Sequence, residues 1–248
     1  MTLDPRRARR WDAMNLGPRW LSHGLPAAAE PSVGAVTGLP LLPESSADAR
    51  LDSIRRMDWD SLERAVTGCT ACALCQSRKQ TVFGVGNRQA HWMLVGEAPG
   101  AEEDAKGEPF VGQAGRLLDN MLAAAGLSRT GVDSHAVYIA NVLKCRPPGN
   151  RNPEPGEVAL CEPFLLRQVA LIQPKLIVVM GRFAAQSLLG TDATIASLRG
   201  HVHSIRVDDR AIPVVVTYHP AYLLRNLADK SKSWADLCLA QEVYARAG

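Results

Sequence analysis

The sequence has no apolar run long enough to cross a bilayer. Its opening stretch, MTLDPRRARRWD, carries arginines with no apolar segment behind them, which argues against a secretory signal and for a cytoplasmic protein. There is no GxxxxGK followed by Ser or Thr, and no GxGxxG, so the two common phosphate-cradling loops are excluded. Charge of one sign is not in excess: 28 Lys and Arg against 25 Asp and Glu leave +3, mildly basic and compatible with nucleic acid without naming it. Aromatics are scarce, with Phe and Tyr at 4 each, so an aromatic in a loop calls for a reason. What is present suffices for a sizeable core: 248 residues, 46% hydrophobic, enough for one domain plus a tail or two small domains.

Residues 1–55 differ from the rest. Ala, Pro, Gly and Ser dominate from Pro26 to Ala49 and no apolar period persists, the composition of a flexible tail. Its start combines Arg6, Arg7, Arg9 and Arg10 with Trp11 and Trp20, which reads either as an unselected leader or as a segment docking on DNA or on a replication or repair partner. Residues 56–248 form the folded domain. A helix is expected near Asp60, with Glu63 at capping-box spacing and Gly68 as its stop. Strands are expected at His91–Val95, Val137–Val142, Leu176–Met180, Val202–Val207 and Ile212–Thr217. Helices fall on the face Leu117, Leu118, Met121, Leu122 and Ala125, and over Val158–Ile172, Phe183–Leu189 and Leu237–Ala245. Alternating strands and helices predict an α/β fold with a mostly parallel sheet covered on both faces. In such folds ligands lie beyond the C-terminal strand ends, where Glu97, Asn141 and His219 fall.

Six cysteines without a secretory signal favour metal ligation or thiol chemistry over disulfides. Cys69 and Cys72 form a CxxC pair; Cys145 follows a strand and Cys161 lies in the next helix. Four such thiolates suit a tetrahedral zinc or a four-iron cluster, and spacing does not choose between them. It also leaves Cys75 competing with Cys69 or Cys72, while Cys238 reads as a small buried hydrophobe.

The loops carry the remaining chemistry. Gly96-Glu97-Ala98-Pro99-Gly100 is a strand-end turn where backbone can approach a ligand closely. Glu97 there serves as a base, an electrostatic stabiliser or a helix N-terminal acid. Phe110, between Pro109 and Val111 in a loop, is either core or a stacking platform. Asn141 ends an apolar strand and satisfies backbone or reads a ligand. Arg146, Asn150, Arg151 and Asn152 sit in a Pro-rich loop, suited to phosphate contact or simply exposed. His219 precedes Pro220, and Leu223, Leu224 and Arg225 follow as core residues or as a wedge between bases.

Taken together, CTAC at Cys69–Cys72, VFGVGN at Val82–Asn87, VGEAPGAEED at Val95–Asp104, GEPFVGQAG at Gly107–Gly115, YIANVLKCRPPGNRNP at Tyr138–Pro153 and YHPAYLLRN at Tyr218–Asn226 resemble the iron–sulfur (family 4) uracil-DNA glycosylases over roughly residues 60–240. The resemblance implies a three-layer α/β/α sandwich with a four-stranded, mostly parallel sheet. It also implies a 4Fe–4S cluster on Cys69, Cys72, Cys145 and Cys161, with Cys75 left out. Uracil-containing DNA, single- or double-stranded, would be the partner of a monomeric enzyme. Glu97 and His219 would be catalytic, the first near the sugar and the second at the base O2. Phe110 would stack on uracil, Asn141 would read its Watson–Crick edge, and Gly96, Ala98, Pro99 and Gly100 would line the pocket. Glu103 falls where a side chain would crowd C5, and Leu223 or Leu224, beside Arg225, would fill the gap left by the flipped base. The family's covalent uracil-trapping cousins carry an inserted basic loop ending in His after the second strand; here CRPPGNRNP has none. No lysine declares itself for a Schiff-base step, with Lys144 left open. Residues 1–55 have no counterpart in the resemblance.

Overall fold

A computed structural model describes residues 46–246 of the chain. Three helices come first: α1 (Ser46–Arg56), α2 (Trp59–Thr67) and the single turn α3 (Leu74–Ser77). The sheet then begins with β1 (Val85–Gly86) and β2 (Trp92–Gly96), followed by α4 (Ala101–Lys106), α5 (Gln113–Ala124) and β3 (Val137–Asn141). Next are α6 (Pro155–Ile172), β4 (Leu176–Met180), α7 (Arg182–Leu189) and α8 (Ile195–Leu198). A hairpin, β5 (Val202–Val207) and β6 (Arg210–Thr217), leads to α9 (Pro220–Leu223) and the closing helix α10 (Lys230–Arg246).

The sheet has six strands in the order β1-β3-β2-β4-β6-β5. The four central ones, β3, β2, β4 and β6, are all parallel, as the sequence pattern predicts. The expected count of four is corrected by antiparallel edges: β1 on β3, and β5 on β6. β1 escaped notice because two residues, one a glycine, carry no period. The β5–β6 hairpin turns at Asp208, which adopts a positive φ of 52°.

The central strands β2, β3 and β4 are buried at every position, the mark of a sheet covered on both faces. Alternate residues feed two cores. Met93, Val95, Ile177, Val179, Val214 and Val216 face Leu165 and Val169 of α6 and Ala184 and Leu188 of α7. Trp92, Leu94, Ile139, Val178 and Val215 face Leu118 and Leu122 of α5 and Ala240 of α10. The architecture is therefore the three-layer α/β/α sandwich.

Boundaries moved where caps overrode periodicity. The first expected helix starts at Trp59 with Asp58 rather than Asp60 as its cap, because the Asp58 carboxylate accepts the Ser61 N–H at 2.8 Å. α6 begins at Pro155, where Glu157 accepts the Glu154 N–H at 2.9 Å. α10 extends back to Lys230. α1 lies inside the stretch read as tail. Its Ile54 is buried with Leu62, Val66, Phe83 and Phe164, and Arg50 donates to the Leu160 carbonyl at 2.9 Å. The basic-aromatic segment nearer the start lies outside the described residues.

Candidate active site

The C-terminal ends of the parallel strands converge. β2 and β3 pair through Gly96 and Asn141, and the pairing runs on past both strands: Val142 donates to the Gly96 carbonyl and Leu143 to that of Glu97, both at 3.0 Å. Glu97 and Asn141 thus stand on adjacent strand ends. β6 delivers His219 as the N-cap of α9. Phe110 reaches the same place from the loop between α4 and α5. A cavity of about 430 Å³ is lined by Glu97, Phe110, Asn141 and His219, with Ala98, Pro99, Gly100, Glu103 and Arg225 around them.

Asn141 is 2% exposed, and its Oδ1 has no hydrogen-bond partner among the described residues. A buried acceptor left unpaired costs roughly 1–3 kcal/mol, and this one borders the cavity, where a ligand's donor can reach it. Gly96 does not line the cavity but makes it: a Cβ there would run into Asn141 Oδ1 and would lie 2.7 Å from Phe110 Cζ.

His219 accepts the Ala221 N–H on Nδ1 at 3.1 Å, which puts its ring proton on Nε2. Burial drives its pKa down to about 4, so the ring is neutral near pH 7 and is a donor through Nε2. The Phe110 and His219 rings stack, with centroids 5.4 Å apart and planes at 28°. Phe110 itself holds a positive φ of 56°, unusual for a bulky residue. Burial raises the pKa of Glu97, partly offset by the Arg182 guanidinium, and this suits a carboxylate that takes a proton.

Glu103 also borders the cavity, but its carboxylate is occupied: it accepts the N–H groups of Gly100 (3.1 Å), Val111 (3.0 Å) and Gly112 (3.2 Å). It stitches the first loop to the second. Leu223 is 1% exposed and belongs to the core, beside Leu117, Met121 and Leu237, whereas Leu224 is 39% exposed. The wedge expectation therefore narrows to Leu224 beside Arg225. In the Pro-rich loop, Arg151 forks onto Glu157 at 3.0 and 2.6 Å and Arg146 donates to Asn150 at 2.7 Å. That loop is locked to α6 and borders the cavity through Asn150, Arg151 and Asn152.

A second cavity is lined by Cys69, Cys72, Cys75, Cys145 and Cys161. Two donors already point at sulfur: Arg78 Nη1 to Cys145 Sγ at 3.1 Å, and the Lys144 N–H to Cys161 Sγ at 3.2 Å. Burial pushes the Cys161 thiol up to about 12, and raises Cys72 and Cys145. Buried thiols that collect N–H donors fit a site for thiolates neutralised by a bound cationic centre. Among the described residues no three Cys, His, Asp or Glu side chains form a ready single-metal site. Cys75, which the resemblance leaves out, lines this cavity too.

The uracil DNA glycosylase superfamily matches residues 83–239, a span holding both the cavity residues and two of the four expected cysteine ligands. A type-4 uracil-DNA glycosylase of Archaeoglobus fulgidus is 46% identical over 66% of this chain and 82% of its own length. One of Thermotoga maritima is 43% identical over 66% and 82%. A type-5 enzyme of Pyrobaculum aerophilum is less similar, at 32% over 66% and 83%. The chain belongs to the type-4 uracil-DNA glycosylases.

In this glycosylase, Lys144 is removed from consideration as a Schiff-base nucleophile. Its ammonium is 1% exposed and spent on the carbonyls of Asn141 (2.9 Å) and Phe83 (3.3 Å) and on Gln168 Oε1 (2.6 Å). It braces the strand end that carries Asn141 instead. Sequence reading missed this role, and missed that the Ala221 amide sets the His219 tautomer. The signal for the latter was His-Pro at a helix start, where the residue before Pro is the cap. Replacing Gly96 with Ala should cut kcat/KM by at least about a hundredfold, because the new methyl displaces Asn141 and Phe110 together. Steady-state kinetics beside a thermal melt checks this; wild-type kinetics would mean that the cavity is not where the chemistry occurs.

Proposed function

We propose that this chain flips uracil out of DNA and hydrolyses its N-glycosidic bond, leaving an abasic site for repair. The observation that carries the reading is the unpartnered, buried Oδ1 of Asn141 beside Phe110 and His219. Uracil N3–H supplies the missing donor, and its O4 accepts from the same amide. Cytosine presents the reverse pattern and would leave two buried polar groups unpaired, the kind of mismatch that hydrogen-bonding sites reject most strongly. Glu103, pinned by three backbone amides, is the assigned barrier at C5, where thymine carries its methyl.

Extruding the base costs a few kcal/mol of unstacking. Stacking on Phe110 returns about 1–3 kcal/mol, and exposed Leu224 is assigned to fill the gap beside Arg225. Cleavage of C1′–N1 leaves negative charge on uracil and positive character on the sugar. The Nε2–H of His219 faces the first as a neutral donor to O2 and needs no change of protonation. Glu97 opposes the second and orients or deprotonates the attacking water. Water then adds at C1′, and uracil leaves with the bond's electron pair.

Cys69, Cys72, Cys145 and Cys161 are assigned to a 4Fe–4S cluster, which when bound supplies a cross-link between the residues after α2, the loop after β3 and helix α6. Ala98, at the rim of the base cavity, packs against the cluster of Leu74, Leu143 and Cys145, as do Cys72 and Cys161, so the cross-link would stiffen the wall behind the catalytic loop. Protein purified without oxygen should be brown with about four irons per chain. Stoichiometric zinc would overturn this assignment and leave the glycosylase reading standing.

Free-base release from oligonucleotides containing uracil, thymine or hypoxanthine tests the main reading. Uracil release is expected, reduced about a hundredfold or more in Asn141→Ala that still melts like the parent; no release from folded, metal-loaded protein would sink it. The rate should also fall on acidification with a midpoint above that of an ordinary glutamate, since the ionised form of Glu97 is the active one and burial raises its pKa. His219, near 4, titrates below that midpoint. A pH–rate profile of Glu97→Gln should lack the limb and sit lower throughout.

A further inference from the structure

Phe110 adopts a conformation that a phenylalanine avoids, and a single side chain on the far side of its loop holds it there. Arg129 follows the Ser128–Ala136 bridge, away from the base cavity, with its side chain 14% exposed. Its Nη2 donates to the Phe110 carbonyl at 2.9 Å, and Nη1 donates to the Pro109 carbonyl at 3.2 Å and to Glu108 Oε1 at 3.3 Å. Its Nε donates to Asp119 Oδ1 on α5 at 2.8 Å. One planar fork thus ties three consecutive loop residues to a rigid helix. From the other side, α5 approaches so closely at Gly115 that a Cβ there would overlap the Phe110 carbonyl oxygen. The Phe110 peptide is gripped between these two restraints at φ 56°, and the ring faces Gly96 and His219.

We propose that Arg129 is a positioning residue for base recognition: it never touches the base, and acts by fixing the plane of Phe110. The inference rests on Phe110 being the stacking platform. Lysine cannot replace it, because a single ammonium does not span a carbonyl on the loop and a carboxylate on the helix with fixed geometry.

A double-mutant cycle on kcat/KM tests the proposal, with Phe110→Ala, Arg129→Met and the pair combined, each checked for iron content and melting temperature. Arg129→Met should lower kcat/KM roughly tenfold or more in the parent and have almost no further effect on Phe110→Ala. It should also weaken inhibition by free uracil while leaving affinity for abasic-site DNA unchanged. Arg129→Lys, which retains the charge, should behave as the Met variant; this keeps the test open if Met folds poorly. Additive losses, or equal weakening toward uracil and abasic DNA, would reduce Arg129 to a general stabilising contact and overturn the proposal. If Phe110→Ala itself leaves kcat/KM unchanged, the stacking reading fails, a result distinguishable from failure at Arg129 alone.

Discussion

The parallel pairing of β2 with β3, continued beyond both strands, is the constraint on which the site depends. Hydrogen bonds of the ladder are not tunable by degrees: a shift by one residue inverts every side chain. With Gly96 opposite Asn141, and Leu143 bonded to the Glu97 carbonyl, the carboxylate and the amide stand on neighbouring strand ends. The rest follows from what is needed to keep a hole there. Gly96 withholds a side chain, Lys144 braces the Asn141 carbonyl from below, and Glu103 collects the amides of the loops that form the rim.

These supports are electrostatic groups used for scaffolding. Lys144 is wholly buried and brought down to about 8 by its burial, yet three oxygens surround it. Glu103 accepts three backbone donors, and Arg151 is paired with the buried Glu157. Among the described residues, Asn141 Oδ1, Nε2 of His219 and the carboxylate of Glu97 border the cavity without such engagement. A side chain whose donors and acceptors are already committed cannot recognise a ligand, and this separates scaffold from site more sharply than residue type does.

Much of this was legible in the sequence, for identifiable reasons. The central strands are near-continuous apolar runs, with Gly96 closing β2 and Gly181 following β4, so β2, β3, β4 and β6 declared themselves. The placing of ligands at strand ends in such folds then points to Glu97, Asn141 and His219. What escaped was either too short for a period, like β1, or decided by caps, like the start of α2 after Asp58. Of the site, the residue types were legible and their partners were not. Leu223 and Leu224 read alike in sequence, yet helix geometry buries the first and exposes the second. Arg129 lies outside every motif, and its bonds to the Pro109 and Phe110 carbonyls leave no trace in residue identity.

The turn that starts α9 joins two tasks on one short rigid piece. His219 caps it at one end through the Ala221 amide, and Leu224 closes it at the other with its N–H on the Pro220 carbonyl. With Pro220 fixing the entry, the imidazole and the exposed leucine have almost no freedom relative to each other. Under the proposed function they are the two tines of one fork: seating Leu224 in the base stack would set the depth of His219. On the proposed roles, alignment of the O2 donor would be gauged against the DNA itself, and a base that had not fully left its stack would meet an imidazole out of reach.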